Sequence, residues 1–167
     1  MIHIYTGNGK GKTTAALGLA VRAAGACKRV YIGQFIKGKP YSELRCLKKI
    51  GSIKVEQFGR GCFIKKEPSR FDIELAQKGL SRAAEMIKSM KFDVIILDEI
   101  LCALDVRLLC LPEVLAFMRR VPARVELVFT GRNAPKAIIR AADLVSEIRE
   151  IKHYYRKGIK ARKGIEF

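Results

Sequence analysis

Eight consecutive positions, Gly7-Asn8-Gly9-Lys10-Gly11-Lys12-Thr13-Thr14, gather three glycines, two lysines and two threonines just ahead of an apolar run. Such a stretch can hold phosphate. Glycines let successive backbone N–H groups turn toward one anion, and a helix starting beside them adds its partial positive charge. In that arrangement Lys12 reaches phosphate oxygens and the Thr13 hydroxyl sits on a magnesium ion. The spacing departs from the strict G-x-x-x-x-G-K-[ST] pattern. Its first glycine belongs at position 6, which is Thr6, and Gly7 leaves the loop one residue short. A glycine-rich turn without a ligand is the plain alternative. Context favours phosphate: a strand before, a helix after, and acids downstream.

Those acids close the stretch "VIILDE", in which four apolar residues lead to Asp98 and Glu99. In phosphate-loop enzymes an acid placed here binds Mg²⁺ directly or through water. Two adjacent carboxylates in apolar surroundings are costly without a cation. Read otherwise, they are helix-capping acids. A third element, "FTGR", puts Thr130, Gly131 and Arg132 after another apolar strand. The glycine permits a tight turn. The Arg132 fork of donors suits a phosphate, or the residue is simply exposed. Asn8 and Asn133 are the only asparagines, and neither opens an N-K-x-D guanine-reading motif, so a switch GTPase is not expected. His3 and His153 have no Ser or Cys partner at a recognisable spacing and read as structural or surface residues.

The elements that must position these residues alternate along nearly the whole chain. Strands are expected at "MIHIY", "RVYIGQFI", "IKVEQF", "FDVIIL", "RVELVFT" and "LVSEIREIKHYY". Helices are expected at "KTTAALGLAVRAAG", stopped by Gly25, at "SELRCLKKIG", between Asp72 and Met90, at "PEVLAFMRRV" with Pro112 in its first turn, and at "APKAIIRAAD" with Asn133 as a cap. "GRGCFIKKEPSR" reads as a loop. The implied class is α/β: a RecA-like, phosphate-loop type of mostly parallel sheet with helices on both faces. Ligands in such sheets lie beyond the carboxyl ends of the strands, where all the candidate residues fall.

Composition narrows the setting. The 167 residues, 49% hydrophobic, suit one domain spanning 1–167, without linker, repeat or low-complexity tract. No apolar run approaches the ~20 residues needed to cross a bilayer, and no signal-peptide layout precedes the motif. A cytoplasmic protein without membrane attachment is expected. Five cysteines include no CxxC pair, which argues for buried, reduced thiols rather than a disulfide framework or zinc site. A net charge of +17 attracts anions. Part of it is concentrated between Arg149 and Lys163, with seven basic residues and one acid, either a solvated edge or an anion-facing rim.

Taken in order, "YTGNGKGKTTAALGLAVRAAG", "IGQFIKG", "VIILDEI", "VFTGRNAP", "ADLVSEI" and "KHYYRKGIKARKGIEF" resemble the ATP:corrinoid adenosyltransferases over essentially the whole chain. The resemblance implies that a reduced Co(I) corrinoid attacks the C5′ carbon of ATP and that the whole triphosphate leaves, with ATP held reversed relative to most phosphate-loop proteins. It places phosphate contacts on Gly7, Asn8, Gly9, Lys10, Gly11, Lys12, Thr13 and Thr14, joined by Arg132. Metal binding falls on Thr13 and Glu99, with Asp98 as a second candidate, and Lys12 and Glu99 emerge as the catalytic residues. ATP, Mg²⁺ or Mn²⁺, a corrinoid, a reducing flavoprotein and a homodimer are the cofactors and partners implied. No specific nucleic acid is among them. Family members place a Phe and a Trp after a Gly-x-Gly turn to displace the lower cobalt ligand. This chain has no Trp, and Phe63 and Ile64 of "GRGCFI" are the nearest apolar side chains on the corrinoid side. Some relatives also cover the site with an N-terminal helix. Here the first strand starts at Ile2, so a cover must come from elsewhere or be absent.

Two other classes compete. A RecA-like ATPase or nucleic-acid-binding phosphate-loop protein would use Tyr154 and Tyr155 of "KHYYRKGIKARK" to stack on bases amid basic residues. A catalytically silent nucleotide sensor needs only the loop.

Overall fold

A computed structural model describes residues 1–61 and 67–167. Six strands form one sheet: β1 (Ile2–Thr6), β2 (Val30–Lys37), β3 (Ile53–Gly61), β4 (Val94–Asp98), β5 (Glu126–Thr130) and β6 (Leu144–Glu147). Their spatial order is β3-β2-β4-β5-β1-β6, and every pairing is parallel. The helices are α1 (Lys12–Gly25), α2 (Ser42–Leu47), α3 (Arg70–Lys88), α4 (Ile100–Asp105), α5 (Leu111–Arg119) and α6 (Lys136–Ala141), and Tyr154–Lys157 makes a 3₁₀ turn. The α/β class expected from the alternation is the one found. No helix among the described residues is long and apolar enough to cross a membrane.

Period-two alternation sends successive residues of the central strands to two cores. Ile95 and Leu97 of β4, with Leu127 and Phe129 of β5, meet α3, α4, α5 and α6 through residues such as Ala83, Leu101, Phe117 and Ile138. Val94, Ile96 and Val128 meet α1, whose inward stripe is Ala16, Ala20 and Ala23. Methyl-sized contacts bring α1 close to the sheet and so fix the glycine loop that precedes it. All strands being parallel, the C-terminal ends of β1, β4 and β5 share one edge. That puts the 7–14 loop, Asp98–Glu99 and Thr130–Arg132 together there.

Several elements differ from expectation. β3 continues through Gly59-Arg60-Gly61, because its edge still pairs with β2 as far as Lys37 opposite Gly61. The last strand stops at Glu147 rather than running on to Tyr155. Asn133 does not cap α6. Pro135 occupies the cap position, while Asn133 takes a left-handed backbone (φ 53°) and donates from Nδ2 to Asp105 at 3.0 Å. Cys27, Cys46 and Cys110 are free thiols but exposed, not buried, and Cys102 is half-buried.

One ion-pair cluster makes stability pH-dependent. The buried Tyr31 hydroxyl donates to Glu56 at 2.9 Å, and Arg82 Nε donates to the same carboxylate at 3.0 Å. Burial alone would raise the Glu56 pKa. The bonds from Arg82, Tyr31 and Lys54 outweigh it and bring the carboxyl down to about 2. A depressed carboxylate stabilises the fold above its unfolded pKa and loses that contribution as pH falls through its folded one. Urea midpoints should therefore drop between pH 4.5 and about 2. Glu56→Gln should flatten that part of the profile, and an unchanged slope would dismiss the assignment.

Candidate functional site

The glycine loop is shaped by its own residues and by what packs against it. Gly7 (φ 99°) and Gly11 (φ 122°) take backbone conformations that side chains disfavour. Gly9 donates its N–H to the Ile148 carbonyl at 2.7 Å, and a Cβ there would lie 2.8 Å from that oxygen. Gly11 is the N-cap of α1 and offers no side chain, so no cap competes for the first-turn N–H groups of the helix. Lys12, only 7% exposed, lies beneath the loop and donates from Nζ to the Gly9 carbonyl at 2.7 Å. Burial pulls its pKa below the ordinary lysine value, against the opposing pull of Glu99. A buried ammonium held by a neutral carbonyl is a strong anion attractor.

Asp98 is the hub of the site. It is fully buried at the end of β4 and accepts four side-chain hydrogen bonds. The Thr13 hydroxyl donates to Oδ1 at 2.9 Å and the Thr130 hydroxyl to Oδ1 at 2.6 Å. Lys37 Nζ donates to Oδ2 at 2.7 Å and Gln34 Nε2 to Oδ2 at 3.3 Å. Burial would lower the Lys37 pKa, but Asp98 beside it outweighs that and raises it. Sequence reasoning gave no role to Gln34, Lys37 or the Thr130 side chain. The available signal was a lysine and a glutamine interrupting an otherwise apolar strand, which burial permits only with a partner.

Glu99 follows in a left-handed backbone (φ 62°), and its N–H donates to Thr130 Oγ1 at 2.9 Å. That turn starts α4, a helix absent from the sequence expectation. Cys102 of α4 has its thiol pushed up to about 12 by burial, reinforced by the charge of Glu99 and a bond to it. Its Sγ accepts from the Arg132 N–H at 3.3 Å. Arg132 is exposed at this edge, and its charge adds to the lowering of the Lys12 pKa. Asn8 is exposed. With Glu147, Arg149, Glu150 and Arg156 it lines a cleft of ≈ 230 Å³ on the β6 side of the loop. Phe63 and Ile64 lie outside the described residues.

The segment after β6 straps the loop. Lys10 Nζ donates to the Tyr154 hydroxyl at 2.8 Å and to Glu166 at 2.7 Å, and Tyr154 donates to the same carboxylate. The Arg162 guanidinium lies 4.8 Å from the Tyr154 ring centre and Lys10 Nζ 5.6 Å from it, so this ring is engaged by cations of the protein itself. At the far side Ser42 of α2 donates to the Phe167 carbonyl at 3.0 Å. The bond to Lys10 raises the lysine pKa and, with Tyr154 and Arg162, holds Glu166 down to about 2. Glu166→Gln should release the strap. The loosened segment should show several-fold faster tryptic cleavage after Arg156 and Lys157. Unaltered cleavage would mean the strap is held elsewhere.

Hard oxygen donors at Thr13, Asp98 and Glu99 fit a small divalent cation. No group of three or more His, Cys, Asp or Glu residues among the described residues forms a complete metal cage.

Known proteins resemble this chain along its whole length. Residues 1–167 match the family model described as ATP:corrinoid adenosyltransferase BtuR/CobO/CobP. The corrinoid adenosyltransferase of Escherichia coli (strain K12) is 34% identical over 168 residues, covering 100% of this chain and 85% of that protein. One from Sinorhizobium sp is 36% identical over 171 residues (100% and 80%), and one from Pseudomonas aeruginosa 35% over 166 residues (98% and 82%).

Proposed function

Because the chain belongs to the ATP:corrinoid adenosyltransferase family, we propose that the Gly7–Thr14 loop grips the triphosphate of ATP as a leaving group. The protein is an enzyme that transfers the 5′-deoxyadenosyl group of ATP to a corrinoid. Co(I) supplies the electron pair, the Co–C5′ bond forms, the C5′–O bond breaks, and triphosphate departs with the electrons of that bond. The nucleophile carries no proton, so the site needs no general base; His3 is tied to Glu126 at 2.9 Å and His153 accepts from the Tyr155 N–H at 3.0 Å.

The observation that carries this reading is Lys12, a buried ammonium beneath a loop whose following helix has no side-chain cap. Negative charge grows on the departing phosphate oxygens, and Lys12, the loop N–H groups and Arg132 are the donors for it. A bound Mg²⁺ or Mn²⁺ would neutralise phosphate charge, held by Thr13 and Glu99 with Asp98 behind them. In this reading ATP is held reversed, with its triphosphate on the loop and C5′ open to the corrinoid. Phe63 and Ile64 are assigned to the corrinoid side. A reducing flavoprotein drawn to the basic surface, a homodimer and a cytoplasmic setting complete the proposal.

The test mixes the full chain with ATP, Mg²⁺ and chemically reduced corrinoid. A light-sensitive adenosylcorrinoid and free triphosphate, in equal amounts, are expected. Orthophosphate as the only phosphorus product would overturn the reading.

A further inference from the structure

Lys37 occupies a place that chemistry would give to a metal ion. Its Nζ lies 2.7 Å from Asp98 Oδ2 and 3.5 Å from Thr13 Oγ1, beside the direct bond from that hydroxyl to Asp98 Oδ1. The lysine is not there by chance of rotamer. In a regular strand Gln34 and Lys37 would point to opposite faces, yet both reach Asp98 Oδ2. The register of β2 on β3 shifts between Phe35 and Lys37, where Ile36 takes φ 63°. This irregularity turns Lys37 onto the face that Gln34 already uses. It depends on β3 coming very close: a Cβ on Gly59 would lie 2.0 Å from the Ile36 carbonyl oxygen. The chain thus departs from its pleat, with a β-branched residue in a disfavoured conformation, and delivers one ammonium to one buried carboxylate.

We propose that Lys37 is the resident cation of the Thr13–Asp98 pair, seated where a divalent ion would bind and excluding the free ion from it, so that metal enters the site only as its nucleotide complex. Mg²⁺ or Mn²⁺ could not approach Asp98 to bonding distance without meeting the ammonium. A metal already bearing phosphate oxygens arrives with its charge offset, and the same phosphates give Lys37 a second partner. The device keeps the buried carboxylate neutralised in the absence of nucleotide and ties metal occupancy to substrate.

The experiment is a Mn²⁺ titration of the nucleotide-free full chain, followed by electron paramagnetic resonance. It needs neither ATP nor corrinoid, so its outcome is independent of adenosyl transfer. Wild-type protein and Lys37→Arg, which keeps the charge, should take up no Mn²⁺ beyond weak surface binding. Removing the unit charge in Lys37→Gln or Lys37→Met should tighten Mn²⁺ binding at least ~10-fold, and Asp98→Asn in the same chain should abolish the gain. The Gln variant retains a donor for Asp98 and guards against misfolding of the Met variant; circular dichroism checks both. Stoichiometric Mn²⁺ binding by the nucleotide-free wild type would overturn the proposal whatever the variants do. So would a gain that survives Asp98→Asn.

Discussion

Replacing Lys12 by alanine is expected to slow adenosyl transfer by about 10²–10³-fold, a loss of roughly 2.7–4 kcal/mol of transition-state stabilisation. The ammonium is buried and already aimed into the loop by its 2.7 Å bond to the Gly9 carbonyl, so little reorganisation is needed when phosphate arrives. Its lowered pKa states the same fact energetically: burial makes the charge costly until an anion is near. Charge on the leaving triphosphate is greater in the transition state than in bound ATP, so kcat should fall more than KM rises. The folded protein should tolerate the change, because a desolvated charge is removed along with one hydrogen bond. Adenosylcorrinoid formation at saturating ATP and reduced corrinoid measures the effect. A loss below tenfold would show that the backbone N–H groups and metal carry the triphosphate without Lys12.

The parts of this fold that sequence made legible are those written in periodic or punctuated form. The alanine stripe of α1, the apolar run ending at Asp98 and the glycine loop each follow from one local rule, and together they place the site at one sheet edge. What stayed hidden depends on tertiary context. Helix α4 spans only Ile100–Asp105 and has no side-chain cap, so its start rests on the left-handed turn at Glu99, which no residue type announces. Asn133 reads as a helix cap but is drawn to Asp105 of α4, a helix the periodicity did not reveal. Lys37 stands one residue out of phase with its partners, and only the β2–β3 register shift brings it to Asp98. The basic run after Arg149 looks like a surface for nucleic acid. Tyr154 within it and Glu166 just beyond it instead hold it to Lys10, the latter a pairing across 156 residues that no spacing rule encodes.

Asp98→Ala should be the most destabilising substitution in the site, by about 3–5 kcal/mol, the usual penalty for stranding one member of a buried ion pair. Its removal leaves the Lys37 ammonium, 14% exposed, without its counter-charge, and deprives Thr13, Thr130 and Gln34 of the acceptor they share. The Thr130 hydroxyl also receives the Glu99 N–H, so the strained turn that aims Glu99 loses its anchor in the same step. A destabilised fold and a misplaced Glu99 should therefore appear together. The double variant Asp98→Ala, Lys37→Met should be less damaging than the sum of its parts, because the second change removes the charge that the first leaves stranded. Urea unfolding reads both, as a fall in midpoint with unchanged slope. Were the two substitutions strictly additive, or the single one to lower stability by less than about 1 kcal/mol, Asp98 would be an ordinary polar residue. The network drawn around it would then have no energetic standing.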